Sequence, residues 1–174
     1  MGFPVYSSMR LVKGEDLNHH GTLYAGRTAE WFVEAGFIAA ASQTAPENIV
    51  CLKLHGMTFS RSIKKGELVC FKSRIARVGR TRIVALIEVW VEEHVAVRGF
   101  ITFIHVDADG NPQPHGLTMT PETDEEKALD AEAAKEQERV LAHRLAAGEH
   151  ALCACEAEII LDRPVDEDLA ERLQ

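Results

Sequence analysis

Residues 23–42, LYAGRTAEWFVEAGFIAAAS, constrain the fold more than any other stretch. Helix formers and apolar residues follow one another without a proline, enough for about 30 Å of helix. Trp31, Phe32, Val33, Phe37 and Ile38 spread round most of its circumference, so the run predicts a helix buried on most sides. Pro46 stops it.

The period then changes from helical to two. Residues 49–59, 67–78, 81–93 and 95–107 are rich in Val, Ile and Phe and read as strands. Gly79-Arg80 and Glu93-His94 leave room only for tight turns, so neighbouring strands form antiparallel hairpins. Charged and apolar residues alternate through ARVGRTRIVALIEVWV, which predicts one wet and one dry face. Residues 3–12 add a first strand, and DADGNPQPHG ends the last one with turn residues. The class is α+β, a curved antiparallel sheet wrapped around a long central helix.

From Pro121 the character changes. Residues 121–148 read as a polar surface helix opened by Thr120 or Thr123, with acids in its first turn and Gly148 closing it. The expected division is therefore a domain at 1–120 and a helical extension at 121–174. Residues 149–174 are ambiguous between strand and helix.

Composition narrows the function classes. With 46% hydrophobic and 26% charged residues, the chain is an ordinary globular protein. No apolar run approaches the length of a membrane span, and the N-terminal residues lack a secretory layout, so a cytoplasmic address is expected. A net charge of −8 argues against nucleic acid or an anionic membrane as partner. Lys64, Lys65, Lys72, Arg74, Arg77, Arg80 and Arg82 nevertheless gather in one region, which suits a small polyanionic ligand. Cys51 and Cys70 read as small core hydrophobes. Cys153-x-Cys155 beside His150 matches no zinc spacing, so neither a metal nor a disulfide is expected.

HHGTLYAGRTAEWFVEAG, followed by hairpins containing VGRT and then by PETDEEK, resembles the hotdog-fold acyl-CoA thioesterases, nearest to the brain-type acyl-CoA hydrolase branch. The resemblance covers about residues 8–127. It implies a homodimer, built up to a tetramer or hexamer, with active sites at the dimer interface. It also implies hydrolysis of an acyl-CoA to free acid and coenzyme A, with no cofactor beyond the coenzyme A of the substrate. In these enzymes backbone N–H groups at the start of the central helix polarise the carbonyl, and a nearby carboxylate is general base or nucleophile.

The helix start supports such a site on physical grounds, because its unpaired N–H groups carry partial positive charge. Gly26 and the small Ala25 would let a substrate reach the backbone. The resemblance puts the acid of the hydrolase branch at Val33, and that of the 4-hydroxybenzoyl-CoA thioesterase branch at Asn18. Neither is acidic here. The remaining acids are Glu34, Glu30 and Asp16; Glu34, one residue beyond Val33, is the best candidate, with burial expected to raise its pKa, and the alternative is a structural glutamate. Asn18 could hold the attacking water or turn the loop, and His20 could bond substrate or shuttle a proton. Thr22 is expected to cap the helix. Arg80, Arg82, Lys64 and Lys65 are the candidates for the coenzyme phosphates. Loss of the acids at 33 and 18 would also suit a non-catalytic acyl-CoA-binding or regulatory protein. A hotdog dehydratase fits less well, because its Asp-x4-His pattern would place a histidine where Gly21 stands.

Overall fold

The computed structural model describes the backbone of residues 3–146 and the side chains of residues 3–139. In chain order these form β1 (Tyr6–Leu11), α1 (Ala25–Ala41), β2 (Ile49–Phe59), β3 (Leu68–Val78), β4 (Arg82–Val91), β5 (His94–His105) and α2 (Asp124–Ala146). The five strands make one antiparallel sheet in the order β1-β3-β4-β5-β2, so β1 and β2 are its open edges.

α1 lies on the inner face of the sheet. Phe32, Ala35, Gly36, Ala39 and Ala40 are buried there against Ile83, Ile87, Ile101 and Phe103. The helix is covered on that face only. Trp31, Val33 and Phe37 are half-buried, while Glu30, Glu34 and Ile38 are exposed. The expected all-round burial is corrected accordingly: the apolar residues beyond the sheet-facing stripe are only partly covered within one protomer.

The outer face is drier than the alternation predicts, because α2 packs on it. Leu129 and Ala133 join Ala76, Val84, Leu86 and Phe100 in a second, small core. Around it, Arg74 pairs with Glu125, Arg77 with Asp130 and Arg98 with Glu132. Lys72 lies 4.3 Å from the centre of the Trp90 ring. Two members of the basic cluster, Arg74 and Arg77, are thus spent on acids of the same chain. α2 opens as anticipated: Thr123 Oγ1 accepts the Glu126 N–H, and Glu126 Oε2 accepts the Thr123 N–H. Its expected closure at Gly148 and the Cys153-x-Cys155 pair lie outside the described residues. Among the described residues no helix is long and apolar enough to cross a membrane.

Cys51 is exposed and Cys70 half-exposed, which corrects the reading of both as core residues. Cys51 falls on the edge strand β2, at a register shift between Cys51 and Lys53. A second irregularity, between His55 and Thr58, passes through Gly56 at φ +59. Gly99 of β5 accommodates it, since a Cβ there would stand 3.1 Å from the carbonyl oxygens of His55 and Gly56 and from Met57 Cα. Those obstacles are backbone and cannot swing aside. Gly99→Ala is therefore expected to cost about 1–3 kcal/mol, read as a lower denaturant midpoint at unchanged slope.

His55 is buried beside this irregularity, with Nε2 2.8 Å from Thr102 Oγ1. Burial, reinforced by the neighbouring Lys53 charge, lowers its pKa to about 4. Below the ordinary histidine value of 6.5 the unfolded chain binds a proton that the folded one refuses. Stability contributed by the neutral ring is complete above about pH 6.5 and falls as pH drops toward 4, by up to about 1.4 kcal/mol per pH unit. Chemical denaturation across that window should show the slope in the wild type and a flatter one in His55→Gln.

Candidate active site

The loop ahead of α1 is tied down at both ends. Asp16, buried at the end of a 3-10 turn, accepts the Lys13 N–H at 2.9 Å, and its carbonyl accepts the Tyr24 N–H at 2.8 Å. Arg27 Nε stands 3.3 Å from Asp16 Oδ1, joining the loop to the first turn of the helix. Between these anchors Asn18 Oδ1 accepts the N–H groups of His20 and Thr22, at 2.9 and 3.2 Å, and Asn18 Nδ2 donates to Thr22 Oγ1 at 3.0 Å. Leu23 N–H then bonds Ile63 O at 2.7 Å, seating the loop against the segment after β2.

These contacts deliver the start of α1 to a cavity of about 350 Å³. Asn18, Thr22 and Leu23 form one wall, and Ala25 and Thr28 a second. The third is Phe59, Ser60, Arg61, Ser62 and Ile63. Thr28 N–H is the first to bond back, to Tyr24 O at 3.0 Å, so the N–H groups of Ala25, Gly26 and Arg27 precede the helical ladder. No acid occupies the first turn, which leaves the positive end of the dipole uncompensated by a helical carboxylate.

The structure brings Asn18 and Thr22 to this cavity, with the backbone of Gly26 beside it. Thr22 is not the helix cap: Tyr24 holds that position, and the Thr22 hydroxyl is committed to Asn18 instead. The exposed Tyr24 ring leans over Gly26, so a Cβ there would have to push the ring aside. His20 is exposed, its ring tilted against that of His19 with centroids 3.9 Å apart, and lies outside the cavity lining.

Glu34 is not in the cavity. Its carboxylate pairs with Arg10 of β1 at 2.5 Å, and its side chain is 53% exposed. The expected burial is corrected here: the helix turns position 34 toward the β1 edge. Phe37, one turn after Val33, meets Phe103 of β5 instead. The coenzyme candidates also separate. Lys64 bridges to Thr22 beside the cavity, and Lys65 follows it. Arg80 and Arg82 stand past the other end of β3, roughly 35 Å away along the strand. Arg82 is only 4% exposed, which corrects the view of it as a side chain reaching solvent.

Arg61, Ser60 and Ser62 were not anticipated from the sequence. FSRS sits between the last residue of β2 and the turn before β3, and a strand-to-turn junction carries no periodicity to mark it. Among the described residues no group of three or more His, Cys, Asp or Glu is placed to hold a metal ion.

The sheet, the helix on its inner face and the cavity at the start of that helix define a hotdog thioesterase. The model of the thioesterase superfamily matches residues 20–97. The acyl-CoA thioester hydrolase YciA of Salmonella typhimurium is 30% identical over 116 residues, covering 60% of this chain and 84% of the relative. The chain belongs to the thioesterase superfamily, among its acyl-CoA thioester hydrolases. The hexameric thioesterase y2039 from Yersinia pestis is 27% identical, with a TM-score of 0.59 over 64% of this chain and 94% of that one. An acyl-CoA hydrolase from Staphylococcus aureus, solved with butyryl coenzyme A, is 23% identical and shares the fold at a TM-score of 0.74 over 83% and 91% of the two chains.

Because one Asn18 side chain organises the whole turn, Asn18→Ala should lower stability by about 1–2 kcal/mol. Asn18→Asp keeps the acceptor and should recover most of it. Equal denaturation midpoints for wild type and Asn18→Ala would show that the turn holds without that side chain.

Proposed function

We propose that this protein hydrolyses the thioester of an acyl-CoA at the cavity that opens on α1. The observation that carries the reading is the helix start itself, with the N–H groups of Ala25, Gly26 and Arg27 ahead of the ladder and no acid in the first turn. Water attacks the thioester carbonyl and the oxyanion forms against those N–H groups. The C–S bond then breaks, the thiolate takes up a proton, and the carboxylic acid and coenzyme A leave. In this reading Asn18 and Thr22 orient the water, and Lys64 and Lys65 meet the coenzyme phosphates.

We further propose that the working unit is a homo-oligomer. β2 is an open edge carrying exposed Val50, Leu52, Leu54 and Phe59, and such an edge is a template for pairing with a second strand. A second copy paired there would also cover the half-buried Val33 and Phe37 of α1 and close the cavity. The hexameric state of the Yersinia pestis relative supports this arrangement.

A second reading, acyl-CoA binding without turnover, is favoured by one observation. Glu34 is held by Arg10, and valine stands at position 33, where the resemblance puts the acid. Thiol release from acyl-CoAs of graded chain length separates the two. The wild type is expected to turn over, and Glu34→Gln to change kcat by less than about threefold, as suits an exposed ion pair. A loss of about 10²-fold or more in a folded, CoA-binding Glu34→Gln protein would instead make Glu34 the general base. Binding of acyl-CoA with no thiol released would establish the second reading.

A further inference from the structure

We infer that the cavity selects short acyl groups bearing a terminal carboxylate, with Arg61 as the residue that recognises it. The inference rests on the thioesterase reading above and names its substrate class.

Arg61 is the only charged side chain lining the cavity among the described residues. A guanidinium offers five N–H donors, and this one holds a single carboxylate, from Nη2 to Glu67 Oε1 at 2.5 Å. The other oxygen of Glu67 accepts the Lys64 N–H at 2.6 Å. The acid is thereby fixed to the backbone outside the lining and serves to aim Arg61. The rest of the fork is left for a ligand.

Of the other polar groups of the lining, all but the exposed Ser62 already have partners in the chain. Asn18 and Thr22 bond each other, Thr28 Oγ1 donates to Tyr24 O, and Ser60 Oγ donates to the carbonyls of Val95 and Ala96. An anion entering the cavity therefore meets a guanidinium on one wall, the positive end of α1 on another, and no lining carboxylate. A long alkyl chain would instead strip water from Arg61 with nothing in return. Arg61 also shares the cavity with the helix start, so a carboxylate held there lies close to the thioester, which suits a short acyl group. The coenzyme phosphates are a poorer partner for Arg61, because the pantetheine arm separates them from the thioester, whereas Arg61 shares its cavity with the helix start.

The chemistry is unchanged: water adds, the C–S bond breaks, and a dicarboxylic acid leaves with coenzyme A. The test compares kcat/KM for succinyl-CoA and glutaryl-CoA with butyryl-CoA and pentanoyl-CoA in wild type, Arg61→Gln and Arg61→Lys. The wild type is expected to favour the carboxylated substrates by about tenfold or more. That ratio should collapse toward one in Arg61→Gln and survive in part in Arg61→Lys. A wild type that treats both classes alike, or prefers the neutral ones, overturns the inference and leaves the thioesterase reading standing. An equal fall on all four substrates in Arg61→Gln assigns Arg61 to the coenzyme and also overturns it. Thiol release from none of them refutes the thioesterase reading itself. Should either variant fail to fold, the wild-type ratio alone decides.

Discussion

The close seating of α1 on the inner face of the sheet is the contact on which the rest of the molecule depends. It is made by a stripe of small residues, Ala35, Gly36, Ala39 and Ala40. At Gly36 a Cβ would come within 3.0 Å of Ile87 Cδ1 and 3.1 Å of Ile101 Cδ1, so the helix rests directly on the aliphatic side chains of β4 and β5. That height determines where the first turn ends up. Because a helix is stiff over its length, its start is carried to the loop at 16–24 with little freedom. The cavity exists because the loop, the first turn and the segment after β2 all converge there.

The two faces of the sheet are held by different physics. The inner face uses apolar area alone, with Phe32, Phe71, Ile87 and Phe103 fully buried. The outer face uses a small apolar contact, Leu129 and Ala133 on Phe100 and Leu86, ringed by arginine–carboxylate pairs. Arg98 is the best placed of these, with both terminal nitrogens on Glu132 and Nε near Glu88; hydrogen bonding by Glu132 raises its pKa and lowers that of the acid. Part-exposed pairs contribute little each, so the position of α2 owes more to their number and geometry than to any single one. Arg74 and Arg77, which swell the positive charge of the sequence between residues 64 and 82, are thereby paired with acids of α2.

Periodicity made the fold legible. The strand 49–59 coincides with β2, the first strand begins three residues later than expected, the other strand boundaries fall within two residues, and α1 is shorter than its sequence run by a residue or two at each end. What the pattern concealed was which apolar residues lack a neighbour. Cys51, Val50 and Leu52 look like core in sequence and are exposed because β2 is an edge strand, and edge position is a property of topology. Glu34 was misread for a related reason: its apolar neighbours suggested burial, but a helix seated on one sheet leaves its far side open. Arg61 went unnoticed because its importance comes from convergence in space, and nothing about its spacing announces it.

Charge at the cavity follows from where the acids went. Glu34 is drawn to Arg10, Asp16 to the Lys13 N–H and Arg27, and Glu67 to Arg61 and the Lys64 N–H. Each of these carboxylates is occupied by a cation or by backbone, and none of them lines the cavity. The field at the lining is therefore set by three leading N–H groups and by one guanidinium whose charge is shared with Glu67. Such a field stabilises an oxyanion as it forms, and it also attracts any negative group that the substrate brings with it.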